Sequence, residues 1–456
     1  MGIGKKAMTL MMAAVLAGGL TACGGESARM QGAAETEAAA TEAAVTEAVA
    51  AETEAAAAET AVTEPAATEA ADNEAEAATP KEAASGAAAP GLCEYEVIGE
   101  TDLPGQFFLS FVYSRNLILL DGKGNLVWSK HEDPVADGTP TGFWDFKKHV
   151  IDGKTYYSYH DQTGEYDNWG MEGFAPGERV ILDENFNEVK RITFEESDTV
   201  EKGHPLDGHD FYMIDLDHYF LSGYIKDTVY NNPDYPDGSS VVYSYLQEVE
   251  NGKAVWDFKT CDYPELYAMT VTDGKKDADD FGNVTTDVPD YVHFNAMRLD
   301  EDGDLIVSYR HLSSILCLDR TKEKDQIKWF LSGRHDEFGL SEQEKTNCQH
   351  YVTLDGNYIM AFDNNNRNEA TRIVCYRVDE DARRLEAFRA FAVGRKFSQA
   401  CGSVQRVKDE LFVIGWGCAT KDNDCMSVVD FSTGDTLMKV KLANPQDFTY
   451  RCVYYE

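Results

Sequence analysis

Hydrophobic and polar residues alternate through most of the chain from residue 93 to 456, and short polar turns interrupt the alternation. Five stretches share one form, a strand, a turn and a second strand with alternating apolar positions: FKKHVIDGKTYYSYH, HDFYMIDLDHYFLSGY, HFNAMRLDEDGDLIVSYR, QHYVTLDGNYIMAFDN and SVQRVKDELFVIGWG. A period of two residues predicts β-strands, and turn residues such as Asp and Gly between them predict hairpins. We find no long stretch of helical periodicity in this region.

A second pair of strands follows most of these hairpins. SSILCLDRTKEKDQIKWFLSG follows the third hairpin, and TRIVCYRVDEDARRLEAFRAF follows the fourth. Two successive hairpins make a four-stranded unit, and repeated units of this kind predict an all-β protein with a β-propeller fold. The units start at intervals of roughly 50 to 80 residues, which predicts six blades over about 360 residues. A series of β-sandwiches is the alternative architecture.

The N-terminal part of the chain has a different pattern. Lys5 and Lys6 precede an apolar run from Met8 to Leu20, and Leu-Thr-Ala comes directly before Cys23. This order is typical of a secretory signal peptide, here residues 1–22, and it resembles the lipobox of bacterial lipoproteins, in which the cysteine is lipidated. We therefore expect an extracytoplasmic protein, lipid-anchored to a bacterial membrane through Cys23. A plain signal peptide is the alternative.

Residues 23–92 consist largely of Ala, Glu and Thr. Aromatic residues are absent from this segment and it has very little positive charge, so it cannot form a core that offsets the loss of chain entropy. We expect a disordered linker between the lipidated Cys23 and a β-propeller domain of residues 93–456.

Charge and cysteine content narrow the function further. The formal net charge of −39 argues against a nucleic-acid partner and means that an anionic substrate needs a local positive pocket. Nine cysteines remain beside Cys23. Cys317 and Cys375 lie at matching places in apolar strands, which predicts buried thiols. Cys418 and Cys425 flank a short polar loop and are candidates for a disulfide.

Three histidines stand at the start of hairpins in different units: His209, His293 and His350. The innermost strand of each blade lines the central channel of a propeller, so these residues should converge at one mouth. Arg310 ends the strand that returns from His293, and Asn295 lies two residues after that histidine. We expect the five side chains to form one site.

The residue types restrict the chemistry of such a site. We find no Gly-x-Ser-x-Gly elbow, phosphate-binding loop, dinucleotide fingerprint or sulfatase-type Cys/Ser-x-Pro-x-Arg stretch. Three histidines can bind zinc, but Arg310 would repel a metal ion and no carboxylate partner is obvious beside each histidine, so we predict neither a metal nor a cofactor. A cationic cluster suits an anion, and sulfuryl transfer needs negative charge on three oxygens to be stabilised while an imidazole attacks.

At this level of detail the chain resembles the bacterial arylsulfate sulfotransferases. The resemblance is carried by LDGHDFYMID around His209, by DYVHFNAMRLDEDGDLIVSYRHLSSILCLDR and IKWFLSG between Asp290 and Gly333, and by CQHYVTLDGNYIMAFDNNN. It implies a six-bladed propeller enzyme that moves a sulfuryl group from a phenolic sulfate ester to a phenol through a sulfohistidine, without a nucleotide cofactor. It also implies that His350 is the nucleophile.

By the same resemblance, His209, His293 and Arg310 hold the sulfuryl oxygens and serve proton transfer, and Asn295 assists in substrate binding or orientation. The chain departs from the family in two respects. The small β-sandwich that precedes the propeller in some members is missing or much reduced. Whether this chain forms the homodimer of the family is therefore left open. Tyr351 follows the nucleophile where many relatives have Asp.

Purely structural interpretations stay open for the same residues. His209 could pair with the adjacent Asp210, His293 could be a core histidine, and Arg310 could form a structural salt bridge. For the whole protein, the alternatives are an aryl sulfate hydrolase and a catalytically silent propeller that binds an anionic ligand or a protein. We expect no role for His204, His311 and His335. We also expect residues 363–366 to form a loop and residues 300–304 to form a hairpin turn.

Overall fold

The computed structural model describes residues 88–135, 141–169, 171, 173–271, 290–418 and 422–456, and the backbone of residues 69–70. The predicted signal peptide, the lipidation site at Cys23 and most of the predicted linker lie outside these residues. None of the helices in the described part is long and apolar enough to span a membrane.

Strands make up nearly all of the regular structure. In chain order they are β1 (Glu69–Ala70), β2 (Tyr95–Gly99), β3 (Gln106–Phe111), β4 (Asn116–Asp121), β5 (Leu126–His131), β6 (Phe143–Ile151), β7 (Lys154–Asp161), β8 (Glu178–Leu182), β9 (Glu188–Ile192), β10 (Tyr212–Asp215), β11 (His218–Val229), β12 (Ser239–Glu250), β13 (Lys253–Lys259), β14 (Phe294–Leu299), β15 (Leu305–Tyr309), β16 (Ser314–Leu318), β17 (Ile327–Leu331), β18 (His350–Asp355), β19 (Tyr358–Asp363), β20 (Arg372–Asp379), β21 (Arg384–Val393), β22 (Ser403–Lys408), β23 (Leu411–Gly415), β24 (Asp424–Asp430), β25 (Asp435–Leu442) and β26 (Thr449–Tyr455). Short 3₁₀ helices span Thr260–Asp262, Pro264–Ala268 and Asn366–Asn368.

Counted over the described residues, 24 of the 26 strands form six antiparallel units of four. Five units are consecutive in sequence, namely β6–β9, β10–β13, β14–β17, β18–β21 and β22–β25, and the remaining unit has the order β26-β3-β4-β5. Each unit is a meander, which is the connectivity of a propeller blade rather than of a Greek-key sandwich. The predicted all-β propeller class is confirmed, and each of the five hairpins found in the sequence forms the first two strands of one unit.

The remaining unit joins the two ends of the described chain. β26 pairs with β3 as its innermost strand, with Cys452 opposite Leu109, and the amide of Gly105 donates to the hydroxyl of Tyr454 over 2.9 Å. At the other edge, the early strand β2 pairs with β25. Local sequence pattern does not predict this unit, because its inner strand lies more than 300 positions after its other three strands.

The core lies between the faces of neighbouring units. Phe391, Phe412 and Phe431 meet between the last two consecutive units with ring centroids 5.0 to 5.4 Å apart. Cys317 and Cys375 are buried in β16 and β20, as their apolar surroundings predicted. Burial of such side chains stabilises the fold by about 1.5–3 kcal/mol for each large apolar residue.

The candidate disulfide between Cys418 and Cys425 is wrong. All nine cysteines of the described residues are free. The thiol of Cys425 donates to the carbonyl of Val440 over 3.3 Å, whereas Sγ of Cys418 lies 3.7 Å from Sγ of Cys401. The short loop of sequence between the two predicted partners therefore does not bring their sulfur atoms together.

Turns and bulges set the direction of the functional side chains. The predicted turn at residues 300–304 is confirmed, with Gly303 in a left-handed conformation at φ +87°. The strands β14 and β18 each begin with a β-bulge, and the left-handed residues there are His293 (φ +53°) and Tyr351 (φ +51°). A bulge re-aims neighbouring side chains, and these two lie at the positions where the site is built.

Candidate active site

The three predicted histidines converge. The ring centroid of His209 lies 5.0 Å from that of His293, at an interplanar angle of 86°, and 6.3 Å from that of His350, at 22°. All three residues are buried, with exposed fractions of 1 to 4%. Side chains from three different units, separated by up to 141 positions in sequence, thus form one cluster of imidazoles.

His209 has a carboxylate partner close in sequence. Oδ2 of Asp207 lies 2.7 Å from Nδ1 of His209 and accepts its backbone N–H over 3.0 Å. The alternative pairing with Asp210 is wrong, because that carboxylate bonds Lys147 and Arg298 instead. Burial lowers the pKa of His209 below its ordinary value, although Asp207 opposes the shift.

His293 repeats this arrangement. Oδ2 of Asp290 lies 2.6 Å from Nδ1 of His293, and Oδ1 accepts the backbone N–H of the same histidine over 3.2 Å. The expectation that the histidines lack carboxylate partners is therefore wrong for two of the three. Such a partner holds the ring in one tautomer and stabilises its protonated form, so both imidazoles are suited to carry a proton on Nε2.

His311, for which the sequence indicated no role, belongs to the same cluster. Its ring lies 4.6 Å from that of His293 at an angle of 29°, and its Nδ1 donates to the carbonyl of Asp290 over 2.6 Å. Burial lowers the pKa of His311 to about 3, although Asp290 opposes the shift. A neutral His311 therefore supports His293 at neutral pH. The missed signal is its position directly after Arg310.

His350 has a neutral partner instead of a carboxylate. Oδ1 of Asn364 lies 2.7 Å from Nδ1 of His350. The amide group of Asn364 cannot turn over without loss, because its Nδ2 donates to the carbonyls of Ser398 over 2.8 Å and of Cys401 over 3.2 Å. Its oxygen therefore faces the imidazole, Nδ1 of His350 carries the hydrogen, and Nε2 keeps its lone pair.

The surroundings of His350 keep its ring neutral. Burial, the charge of Arg310 and the neighbouring His209 place the pKa of His350 well below its ordinary value. The backbone N–H of Cys401 lies 3.4 Å from Nε2 on the other side of the ring. At neutral pH His350 thus presents an unprotonated nitrogen within a cluster of donors. Residues 363–366 are more than the predicted loop, because they supply Asn364.

Arg310 is placed at the edge of this cluster. Its backbone N–H donates to the carbonyl of His293 over 2.8 Å, which ties it to that histidine. Its guanidinium donates to the carbonyl of Gln399 over 3.4 Å, and among the described residues it forms no ion pair with a carboxylate. The interpretation of Arg310 as part of a structural salt bridge is not supported, and its planar fork of donors is available to an anion.

Asn295 supports the strand that carries His350. It is fully buried, and its Nδ2 donates over 2.8 Å to the carbonyl of Gln349, the residue before His350. Its Oδ1 has no hydrogen-bond partner among the described residues. The structure thus gives Asn295 an orienting contact, and its contact with a substrate stays a prediction.

A charged cluster lies beside the imidazoles in the interior of the protein. It combines four cations with two carboxylates: Lys147, Arg179, Arg298, Arg451, Asp145 and Asp210. The ring of Tyr351 is stacked between Arg298 and Arg451, 4.6 and 4.7 Å from the two guanidinium carbons. This cluster has more positive than negative groups, so it provides the local positive potential that an anionic substrate needs in a chain of net charge −39.

Two further features enclose the site. Gly173 has φ +87°, and a side-chain carbon built on it would lie 2.9 Å from Cε1 of His293 and 3.9 Å from Cε1 of His209. Trp144 meets the ring of His209 edge-on at 5.7 Å, and Tyr450 donates its hydroxyl to the carbonyl of His209 over 2.7 Å. The backbone at Gly173 therefore covers two of the histidines closely.

The described residues also include a group that could hold a metal ion, formed by Asp290, His293 and His311. Both Nδ1 atoms of this group already bond oxygen atoms of Asp290. A metal ion there would have to displace these hydrogen bonds, and the charge of the half-buried Arg310 nearby would oppose it. The donor set fits an orienting carboxylate better than a metal ligand.

Comparison with known proteins gives a family for part of this chain. Residues 250–421 match the family model described as Arylsulfotransferase (ASST). This segment, less than half of the chain, contains His293, Asn295, Arg310, His350 and Asn364, and His209 precedes it. No curated protein matches.

Several solved structures are similar at low identity. A Bacteroides caccae protein described as of unknown function is 8% identical with a TM-score of 0.42, covering 78% of this chain and 100% of its own. A periplasmic gluconolactonase from Pseudomonas aeruginosa is 10% identical with a TM-score of 0.38, covering 77% and 99%. Virginiamycin B lyase from Staphylococcus aureus is 7% identical with a TM-score of 0.32, covering 76% and 99%.

The matched segment carries the hairpins of His293 and His350, two of the motifs on which the resemblance rests. Over residues 250–421, the chain is similar to the arylsulfotransferase family.

Proposed function

We propose that this protein is an aryl sulfotransferase that works by a ping-pong mechanism, with His350 as the nucleophile and a sulfohistidine as the intermediate. The family match supports aryl sulfotransferase activity in general. The observation that carries the mechanism is the difference between the partners of the three histidines, an amide at His350 and carboxylates at His209 and His293.

This difference assigns separate roles. A nucleophile must be unprotonated before reaction, and the neutral Asn364 gives no extra stabilisation to a protonated His350. A group that exchanges a proton must be stable in both forms, and a carboxylate at Nδ1 stabilises the imidazolium of His209 and of His293. One imidazole thus attacks sulfur while a neighbour serves the phenol oxygen.

In the first half-reaction, Nε2 of His350 forms a bond to the sulfur of the aryl sulfate as the bond from sulfur to the phenol oxygen breaks. The electron pair of that bond leaves with the phenolate. In molecules in which His209 or His293 carries a proton on Nε2, that proton passes to the phenolate oxygen, and the phenol departs. The sulfuryl group remains on His350.

In the second half-reaction, the acceptor phenol binds in place of the product. The imidazole that gave up its proton takes one from the acceptor hydroxyl, and the phenolate oxygen attacks sulfur. The bond between sulfur and Nε2 breaks, and its electron pair returns to His350. The protein ends in its starting protonation state, so the cycle consumes no cofactor.

Charge on the sulfuryl oxygens is the main barrier in both steps. Arg310 offers a permanently charged fork at the edge of the cluster, and the backbone N–H of Cys401 points to the nitrogen that receives the group. The surplus of cations in the charged cluster adds a positive potential from the interior. Fixed donors of this kind act strongly in a buried site because they need no reorganisation during the reaction.

The test uses the purified protein with 4-nitrophenyl sulfate as donor and phenol as acceptor. We expect nitrophenolate release that depends on phenol, phenyl sulfate as the product, and parallel lines in double-reciprocal plots at several acceptor concentrations. Incubation with donor alone should add the mass of one SO₃ group to the peptide that contains His350. His350→Asn should abolish all three signals, and His335→Asn, a change at an exposed histidine outside the cluster, should leave them intact.

Other outcomes separate the remaining interpretations. Steady nitrophenolate release without acceptor and without phenyl sulfate would make the protein an aryl sulfate hydrolase. Intersecting lines and no labelled His350 would overturn the covalent intermediate and favour direct transfer between two bound phenols. No reaction with several donors would favour a propeller that binds an anion without turning it over.

A further inference from the structure

Two cysteines of the last consecutive unit lie side by side. Cys401 comes just before β22 and Cys418 just after β23, and their sulfur atoms are 3.7 Å apart. Cys401 is 7% exposed, and Cys418 is half-buried. Both have left-handed backbones, with φ +60° and +46°. Non-glycine residues seldom adopt this conformation, and here it brings the two thiols toward each other.

Cys401 is also linked to both nitrogens of the His350 ring, directly at Nε2 and through Asn364 at Nδ1. Its backbone N–H lies 3.4 Å from Nε2, and its carbonyl accepts a hydrogen bond from Asn364, whose oxygen holds Nδ1. A displacement of the Cys401 backbone therefore moves the N–H that faces Nε2 of His350. It also moves the carbonyl that holds Asn364, which fixes the tautomer of His350.

We propose that Cys401 and Cys418 are a redox modification site, and that their disulfide fixes the Cys401 backbone against His350. The two thiols take no part in the proposed sulfuryl transfer, so formation of the disulfide does not depend on the proposed function. Its effect on the reaction rate does rest on that function.

The reaction that forms the bond is thiol–disulfide exchange with a small disulfide such as oxidised glutathione. One thiolate of the pair attacks the oxidant and releases one reduced glutathione, and the second thiol displaces the other. Two protein thiols and one oxidised glutathione give one protein disulfide and two molecules of reduced glutathione. Sulfur atoms in a disulfide are about 2.05 Å apart, so the pair must close by less than about 2 Å.

The thiol environment sets how the exchange proceeds. The hydrogen bond with Cys401 and burial raise the pKa of the Cys418 thiol well above its ordinary value. Little thiolate exists there at neutral pH, so oxidation of the folded protein should be slow at pH 7 and faster at higher pH. The bond, once made, closes a loop of 17 residues and should raise the melting temperature by roughly 5 °C.

The primary experiment detects the bond directly. The full chain is incubated with oxidised or with reduced glutathione at pH 8.5, denatured in N-ethylmaleimide, digested and analysed by mass spectrometry. We expect a cross-linked peptide pair joining Cys401 to Cys418 in the oxidised sample and two alkylated peptides in the reduced one. Alkylation of both cysteines in the oxidised sample, or a bond from either of them to another cysteine, would overturn the proposal.

A second readout tests the coupling to His350. The oxidised and reduced wild-type proteins should differ several-fold in kcat/KM for 4-nitrophenyl sulfate, and Cys401→Ser and Cys418→Ser should each respond to neither reagent. Cys261→Ser, at a partly buried cysteine of a 3₁₀ helix, should keep the wild-type response. Equal rates with the cross-link present would overturn the effect on His350. A protein that forms the bond but transfers no sulfuryl group would contradict the proposed function and leave the redox site standing.

Discussion

Oδ1 of Asn364 lies 2.7 Å from Nδ1 of His350, in the position that carboxylate oxygens of Asp207 and Asp290 occupy at the other two histidines. An amide and a carboxylate have almost the same shape, so the three contacts differ chiefly in charge. The charge of the partner is therefore what separates the candidate nucleophile from its neighbours.

Replacing Asn364 with Asp should raise the pKa of His350, because a carboxylate stabilises the protonated imidazole. More of the protein would then carry a protonated, unreactive His350 at a given pH, so the acidic limb of the kcat/KM profile should move to higher pH. The measurement is kcat/KM for an aryl sulfate between pH 4.5 and 8.5 (about four units, enough to cover the ordinary histidine range). Asn368→Asp, in the exposed part of the same loop, is the control. A profile identical to that of the wild type would contradict the assigned tautomer and role.

Arg310→Lys should keep a positive charge and lose the planar fork. We expect kcat/KM for 4-nitrophenyl sulfate to fall by about 10²–10³-fold, the usual effect of removing one fixed donor to developing negative charge. The unfolding transition should shift little, since the guanidinium is in no ion pair with a described carboxylate. Arg384→Lys, at the first residue of β21, serves as the matched exposed control. A loss of stability as large as the loss of rate would show that Arg310 is structural.

Gly173→Ala tests the backbone that covers His293. The added carbon would lie 2.9 Å from Cε1 of the ring, so the ring or the loop has to move. Displacement of a catalytic group by about 1 Å can cost roughly 10²-fold in rate, and we expect kcat to fall by that order. Gly203→Ala carries a similar backbone penalty, with φ +92°, but nothing lies within 4 Å of its new carbon. Equal effects of the two substitutions would attribute the loss to backbone strain alone.

Acid should destabilise the fold through its buried neutral histidines. Burial lowers the pKa of His160 from 6.5 to about 4 and that of His311 to about 3. Between each folded value and 6.5 the unfolded chain binds more protons, so the free energy of unfolding falls as the pH is lowered, by up to about 1.4 kcal/mol per pH unit for each histidine. Urea unfolding between pH 7 and 5 measures the slope. His160→Gln should make it shallower, and a free energy that stays constant across this range would contradict the prediction.

The sequence predicted the parts of the site that follow from strand order. His209, His293 and His350 occupy equivalent places at the start of repeated hairpins, and a propeller brings such places together. Asp207 and Asp290 were within reach of the same reasoning, because they stand two and three residues before their histidines. Asn364 was harder to find, since its contact with His350 is made 14 positions away, at the end of the next strand.

Contacts between different four-stranded units could not be predicted from the local sequence pattern. The proximity of Cys401 to Cys418 and to His350 depends on how two loops of one unit meet the start of the previous one. A pattern of alternating residues gives the direction of a side chain relative to its own sheet, but it contains no information about the neighbour that the side chain meets. The wrong pairing of Cys418 with Cys425 has this origin, since sequence proximity was its sole support.

The closing of the fold by β26 has a consequence for the order in which the protein folds. The contact between Gly105 and Tyr454 spans 349 positions, so β3, β4 and β5 lack their inner strand until β26 has been synthesised. Loop closure over such a span is slow. The edge of β3 that pairs with β26 therefore stays exposed until β26 is in place. Removal of β26, which includes Tyr450 and Arg451, would remove the inner strand of this unit. It would also remove the Tyr450 hydroxyl that donates to the carbonyl of His209.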